Sequence, residues 1–368
     1  KQTRMFREEV FMKKSIVCAV LFLAVTGSLL TAQEPKLKLQ ARTKLNLVTV
    51  YPDDDSLNTG ISLPGDDEFG VSWDMDTAGV YLTLKGSLPD GTVKIYDYYG
   101  WMKFGDLKLL AGEWSHRKVS TLDKDGSSFG GLWDLEYGAL ALNDEEEGYI
   151  EPVTESDNIT PWKTEFAADY SFGTVMVSAA TGSETGDAYN IAEQFGARVR
   201  AAISGKTAVT ATAIMTGKDL VTMGLFAELS PIENLTAVVG YSGYHDLETS
   251  ENSKNAVELR AAYKMDLISL VSHNNVTLGD DEMILYNMVN LAYSVSDLLR
   301  PCIMIANTNT SGDAASIEGN VLTARPGLTL SPRKGATIDA GLRFEYFTPE
   351  EGDSMTRITV PVVFRVKL

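Results

Sequence analysis

Residues 357–368 read RITVPVVFRVKL. Ile358, Val360, Val362, Phe364, Val366 and Leu368 are all apolar, and Thr359, Pro361, Val363, Arg365 and Lys367 stand between them. A period of two is the mark of a strand whose two faces meet different surroundings. The pattern recurs along the chain. Phe166, Ala168, Tyr170 and Phe172 alternate with Glu165, Asp169 and Ser171, and Phe195, Ala197, Val199, Ala201 and Ile203 alternate with Arg198 and Arg200. Val257, Leu259, Ala261 and Tyr263 are set against Glu258, Arg260 and Lys264. Ile338, Ala340, Leu342, Phe344 and Tyr346 are set against Asp339, Arg343 and Glu345. Near the start, Leu37, Leu39, Leu45 and Leu47 oppose Lys36, Lys38, Arg42 and Lys44.

The turns between these strands separate a barrel from a soluble sandwich. From residue 163 onward, tight connections such as FGT (172–174), SGK (204–206) and SPRKG (331–335) alternate with longer polar ones. The longer class includes GSETGDAYN (182–190), DLETSENSK (246–254) and TSGDAASIEG (310–319), with GKD (217–219) and GDD (279–281) as short exceptions. One end of the molecule is tightly turned and the other is looped and acidic. Transmembrane β-barrels have this asymmetry, with short periplasmic turns and longer external loops, and a sandwich has no reason for it. Segment lengths near 10 residues suit a tilted strand crossing hydrocarbon. Tyr170, Phe172, Tyr241, Tyr263, Tyr293, Phe344 and Tyr346 sit where interfacial girdles belong.

The expected fold is therefore all-β, a transmembrane antiparallel barrel of about 16–18 strands with short periplasmic turns and longer acidic external loops. Segments near 36–49, 68–75, 79–87, 92–104 and 107–115 precede the strands that begin at 163. The last strand, 357–368, must close the sheet, because open edges in lipid leave backbone groups unpaired. Arg365 and Lys367 then face the lumen or the periplasmic rim. Pro361, lacking an N–H, calls for an edge or a bulge. Residues 116–162 fit no hairpin and read as one long external segment.

The beginning of the sequence is of another kind. Lys13 and Lys14 precede an apolar run from Ile16 to Val25, and small residues follow to Ala32. This is the form of a cleavable signal peptide, so 1–32 is assigned to upstream residues and leader, and 33–368 to the barrel. The run is shorter than the ~20 residues a membrane-spanning helix needs. The whole sequence carries 32 basic and 50 acidic residues, and the first 32 residues hold five of the basic and two of the acidic. The remainder is 27 against 48, net −21. Such a balance argues against nucleic acid as a partner. Cys302 is the single cysteine after Ala32, so no internal disulfide is available.

The segment DYYGWMKFGDLKLLAGEWS (97–115) resembles a hairpin of Gram-negative general porins. The LSP-type turns and the absence of a terminal phenylalanine look more like the barrel proteins of spirochaete, especially treponemal, outer membranes. The porin resemblance implies that the segment after this hairpin folds back into the barrel and narrows the pore. FGGLWD (129–134) and the run Asp144, Glu145, Glu146 and Glu147 occupy that place here. It also implies that the barrel-assembly machinery reads the C-terminal strand, although Leu368 replaces the usual phenylalanine.

No enzymatic site is legible. His116, His245 and His273 are scattered, no nucleophile motif accompanies them, and each reads as a surface polar residue. One cysteine and three histidines do not make a standard zinc site, and DKDGSS (123–128) places its glycine too early for an EF-hand loop. No cofactor is expected. The expectation is a porin, a passive channel for ions and small hydrophilic solutes with modest cation preference, in outer-membrane lipid, with homo-oligomerisation left open. The candidate pore lining is Lys38, Arg42, Lys44, Arg198, Arg200, Glu258, Arg260, Asp339, Arg343 and Glu345, with Asp144–Glu147 as constriction. A fatty-acid-type transporter and a surface adhesin barrel are the alternatives.

Overall fold

The structure is a computed structural model. It describes residues 36–368 apart from 53–55, 59–66, 88–91, 115–162, 184–193, 217–218, 249–252, 280, 313–317 and 351. The segments 1–32 and 116–162, with His116 and Asp144–Glu147, lie outside the described residues.

Each alternating segment becomes a strand. β1 (Lys36–Tyr51), β2 (Ser56–Asn58), β3 (Asp67–Asp74), β4 (Ala78–Ser87), β5 (Thr92–Phe104) and β6 (Leu107–Trp114) come first. β7 (Lys163–Phe172), β8 (Val175–Ser183), β9 (Gln194–Ser204), β10 (Thr207–Thr216), β11 (Leu220–Leu229), β12 (Leu235–Asp246) and β13 (Lys254–Met265) follow. The last are β14 (Ile268–Leu278), β15 (Met283–Tyr293), β16 (Leu299–Ser311), β17 (Gly319–Arg333), β18 (Ala336–Gly341), β19 (Arg343–Pro349) and β20 (Met355–Lys367). Every pairing is antiparallel, and β20 returns to β1. β2 and β3 flank the same side of β1, and β18 and β19 both lie between β17 and β20. Each of these pairs is one stave of the wall, so the barrel is closed with 18 strands. This is the upper figure of the range expected from the sequence. Among the described residues no helix is long and apolar enough to cross a membrane, which says nothing of a β-barrel.

Closure extends to the final residue. The Leu368 N–H donates to Leu39 O at 2.8 Å, and the Leu39 N–H returns a bond to Leu368 O at 3.1 Å. Both β1 and β20 meet at the tightly turned end. There Phe104 pairs with Leu107, Phe172 with Val175 and Met265 with Ile268 across two-residue loops. Such hairpins need positive φ, which Gly105 at 60° and Gly173 at 64° supply without steric cost.

The two faces of the wall differ as the alternation requires. Leu225, Leu259, Leu270, Val289, Leu291, Ile303 and Ile305 are exposed on the outward face. Outward aromatic side chains gather beside the tight turns, with Phe104, Phe172, Tyr263 and Tyr293 all exposed there. In β20 the inward row is Arg357, Thr359, Pro361, Val363 and Arg365, and the outward row is apolar, in agreement with the sequence pattern.

Candidate functional site: the inner wall

Alternation sends every second side chain inward, so the candidate site is a surface lining the barrel rather than a pocket. Its charge is concentrated in one sector, on β16 to β20 and β1. Arg357, on the inward row of β20, is 0% exposed and its Nε donates to Glu345 Oε2 at 2.7 Å. Arg343, two residues before Glu345 on the same face, donates to the other carboxylate oxygen. The charge of Arg325 on β17 also acts on Glu345. Lower in the same sector, Arg365 lies 3.2 Å from Asp339, which also feels Arg300 on β16. Arg42 on β1 stands in register with Arg365. Six arginines thus share a wall with two acids, and the sector carries excess positive charge.

The other candidates are distributed around the circumference. Lys38 is 3.2 Å from Asp74 at the tight-turned end. Arg200 on β9 reaches across β10 to Glu228 on β11 at 2.8 Å. Arg260 on β13 is fully buried and its Nε donates to His273 Nε2 at 3.3 Å. Lys44, Arg198 and Glu258 lie on β1, β9 and β13, but their side chains fall outside the described residues. Asp339 and Glu345 do not face the arginines from an opposing wall. They stand among them on β18 and β19, because residues two apart on one strand share a face and pair with the next strand.

One histidine is placed differently from its expected position. His245 lies at the loop end of β12, with the Tyr241 hydroxyl 3.5 Å from its Nε2. His273, however, is not a surface residue at a loop end. It occupies the middle of β14 on the inward face, fully buried between Arg260 and Tyr286, whose ring meets it edge-on at 5.0 Å. Arg357 was also missed as a lining residue, although it continues the inward parity of Thr359 and Arg365.

The inner wall also has apolar areas that the sequence reading did not assign. Tyr286, Met288, Val271 and Met304 form a buried cluster on β14 to β16. On β5 to β8, Leu110, Ala167 and Ala180 pack with Tyr99 and Trp101. The Trp101 ring lies on Gly79, where a Cβ would stand 2.5 Å from its Nε1. The ammonium of Lys108 sits 4.4 Å from the centre of the same ring. Among the described residues no group of three metal-ligating side chains occurs.

A closed barrel with an apolar outward face and a charged inner wall is the architecture of a membrane channel or transporter. No protein-family model matches the chain, and no curated relative matches it in sequence. Solved structures match in fold. OpdL of Pseudomonas aeruginosa superposes with TM-score 0.60 at 10% identity, covering 91% of this chain and 99% of that one. OpdO of the same organism gives 0.59 at 8%, covering 91% and 98%. The outer membrane protein opdK gives 0.57 at 10%, covering 91% and 99%. Over 91% of its length the chain has the fold of these Pseudomonas barrels.

Proposed function

We propose that the protein is an outer-membrane porin, a passive diffusion channel for ions and small hydrophilic solutes. The observation that carries this reading is the opposed chemistry of the two faces of a closed 18-strand wall. Barrels of this strand number leave an aqueous channel. The leader at 1–32 directs export, and the strand 357–368 presents the barrel to the assembly machinery. The turn style keeps its likeness to spirochaete barrels. The segment 116–162, with Asp144, Glu145, Glu146 and Glu147, supplies the constriction, and Lys38, Arg42, Lys44, Arg198, Arg200, Glu258, Arg260, Asp339, Arg343 and Glu345 line the pore.

The excess positive charge of the arginine sector, whose partly exposed members are Arg42, Arg300 and Arg365, favours solutes that carry a carboxylate, the planar anion that guanidinium groups recognise. Two of the similar barrels have been solved with such molecules, OccK2 (OpdF) with glucuronate and OpdK with vanillate. Planar-bilayer recording and vesicle swelling test the proposal together. Stepwise conductance is expected, and swelling should be faster with glucuronate than with glucose. A folded barrel without conductance rejects the porin reading.

The inner cluster of Tyr286, Met288 and Met304 supports a second reading, a transporter of hydrophobic compounds. That reading expects a non-conducting barrel that binds a fatty acid or aromatic probe.

A further inference from the structure

Two glycines flatten the inner wall between β1 and β5. Gly70 on β3 is in register with Gln40 of β1, and Gly79 on β4 with Trp101 of β5. A Cβ at Gly70 would stand 2.7 Å from Gln40 Cγ, and one at Gly79 2.5 Å from Trp101 Nε1. Each neighbouring side chain therefore lies down across its glycine instead of standing into the lumen. Glycine weakens a strand interior, and a close approach is one of the few reasons to keep it there. Between the two, Tyr81 of β4 pairs with Tyr99 of β5, their ring centres 5.2 Å apart and their planes 35° from parallel. The Gln40 amide donates to the Tyr81 hydroxyl at 3.3 Å. An amide and three aromatic side chains thus form one flat ribbon.

The ribbon is not core. Leu110 and Ala167 beside it are 2% and 0% exposed, whereas Tyr81, Tyr99 and Trp101 keep part of their surface. Their open faces look into the barrel. Lys108 and Lys103 bring ammonium groups to 4.4 and 5.9 Å from the Trp101 ring centre, and an ammonium does not settle in hydrocarbon. Towards the loop end, the Lys85 ammonium lies 3.7 Å from the centre of the Tyr96 ring. From Tyr96 to Trp101 the aromatic track runs roughly 15 Å along β5.

The charge around the track is mixed, unlike that of the arginine sector. Lys38 is paired with Asp74 at one border, and Asp97 stands next to Tyr99 on the inward row of β5. A fitting solute needs a flat apolar face for the rings, with donors and acceptors but no net charge around its edge. A sugar ring has this form, with C–H groups on its face and hydroxyls at its rim. An aromatic hydrocarbon would cover the rings and leave the polar border desolvated, at a cost. A lone carboxylate would do nothing for the rings.

We propose that this ribbon is a binding strip for neutral sugars. Their ring faces stack on Trp101, Tyr99 and Tyr81, and their hydroxyls exchange hydrogen bonds with Gln40, Asp97 and Lys38. The inference deepens the channel reading and rests on it for access, since the sugar must reach the wall through water. It names a solute class that the charge of the lumen does not select. Stacking on rings needs no fixed register, so a chain of sugar units passes from one face to the next.

The full-length barrel, folded in a detergent without a sugar head group and then in planar bilayers, tests this with maltotriose. Calorimetric titration should show binding, and maltotriose should reduce single-channel current reversibly, more than a polyethylene glycol of about the same mass. Trp101→Phe keeps a ring face and should retain most of the binding. Trp101→Leu keeps apolar bulk without a face and should bind about tenfold more weakly, the scale of one lost ring contact. Gly79→Ala, which lifts the Trp101 ring off the wall, should also weaken binding. Heat-modifiable migration confirms that each variant has folded. Equal binding by Trp101→Leu and Trp101→Phe would overturn the proposal, as would a current reduction no greater than that of the polyethylene glycol. A barrel that conducts but does not bind maltotriose rejects the sugar strip and keeps the porin. A barrel that binds maltotriose without conducting rejects the porin and keeps the strip.

Discussion

Pro361 of β20 stands opposite Asn46 of β1, and immediately beyond it the register slips. The next aligned pair is Thr49 with Thr359, so β1 takes three steps where β20 takes two. This is the bulge that a proline inside a strand calls for, since its nitrogen has no hydrogen to give. On the other flank of Pro361 the stave breaks between β18 and β19 at Leu342, whose N–H donates to the carbonyl of Pro326 at 2.9 Å. Two prolines thus border the irregular level of the seam, and regular pairing resumes above and below it.

The seam makes β20 indispensable. It pairs along Gln40–Val50 of β1 on one side and along β18 and β19 on the other. Deleting 357–368 would leave two long edges in lipid, each with unpaired backbone groups worth several kcal/mol apiece. The truncated chain should fail to give a heat-modifiable, protease-resistant barrel. Normal insertion in a membrane-fractionation assay would refute the closing role.

Glu345 is the carboxylate on which Arg343 and Arg357 converge, and all three side chains are buried. Removing one partner from such a group leaves uncompensated charge, at a cost of about 3–5 kcal/mol. Glu345→Ala should therefore lower the urea midpoint of the refolded barrel markedly, with Glu345→Gln intermediate. Replacing Arg343, Glu345 and Arg357 together by Met, Gln and Met should recover much of the loss. A midpoint unchanged in Glu345→Ala would mean that water already screens the cluster.

The staves that the alternation revealed were those whose two rows are chemically distinct. In β20, β18 and β19, the apolar outward row identifies the inward one residue by residue, and Asp339, Arg343 and Glu345 lie where that parity puts them. β14 was harder to read because Ser272 and Asn274 interrupt its outward row, so His273 could not be told from a loop residue. Parity also says nothing about height along the barrel or about which strand supplies a partner. The pairing of Glu345 with Arg343 is local to one strand, whereas that with Arg357 depends on the register of β19 against β20.

The acidic run Asp144, Glu145, Glu146 and Glu147 lends itself to a test by current. Four neighbouring carboxylates at a pore constriction raise the local cation concentration over about a Debye length, ~8 Å at physiological salt. The arginine sector on β16 to β20 acts in the opposite sense. Neutralising all four residues to Asn or Gln should move the reversal potential in a salt gradient toward anions. Deleting 116–162 should raise single-channel conductance. An open pore indifferent to both changes would remove the constriction role and leave the channel.

Cys302 offers a probe of the wall that needs no new residue. It lies on the inward row of β16, two steps from the buried Met304 and two from Arg300, and is partly exposed. If the interior is water-filled at this level, a small charged methanethiosulfonate added to the inserted barrel should attach to the thiol and reduce single-channel current. The Cys302→Ser variant should be unaffected. The charge of the reagent reports the local potential. Beside Arg300 and the arginines of β18 to β20, a negatively charged reagent should be concentrated, and its rate relative to a positive one should exceed that ratio for a free thiol in solution. Raising the salt concentration should bring the two ratios together, as screening removes the difference. Faster reaction with the positive reagent would assign control of the field to acidic groups elsewhere, and no reaction with either would mean that water does not reach this part of the wall.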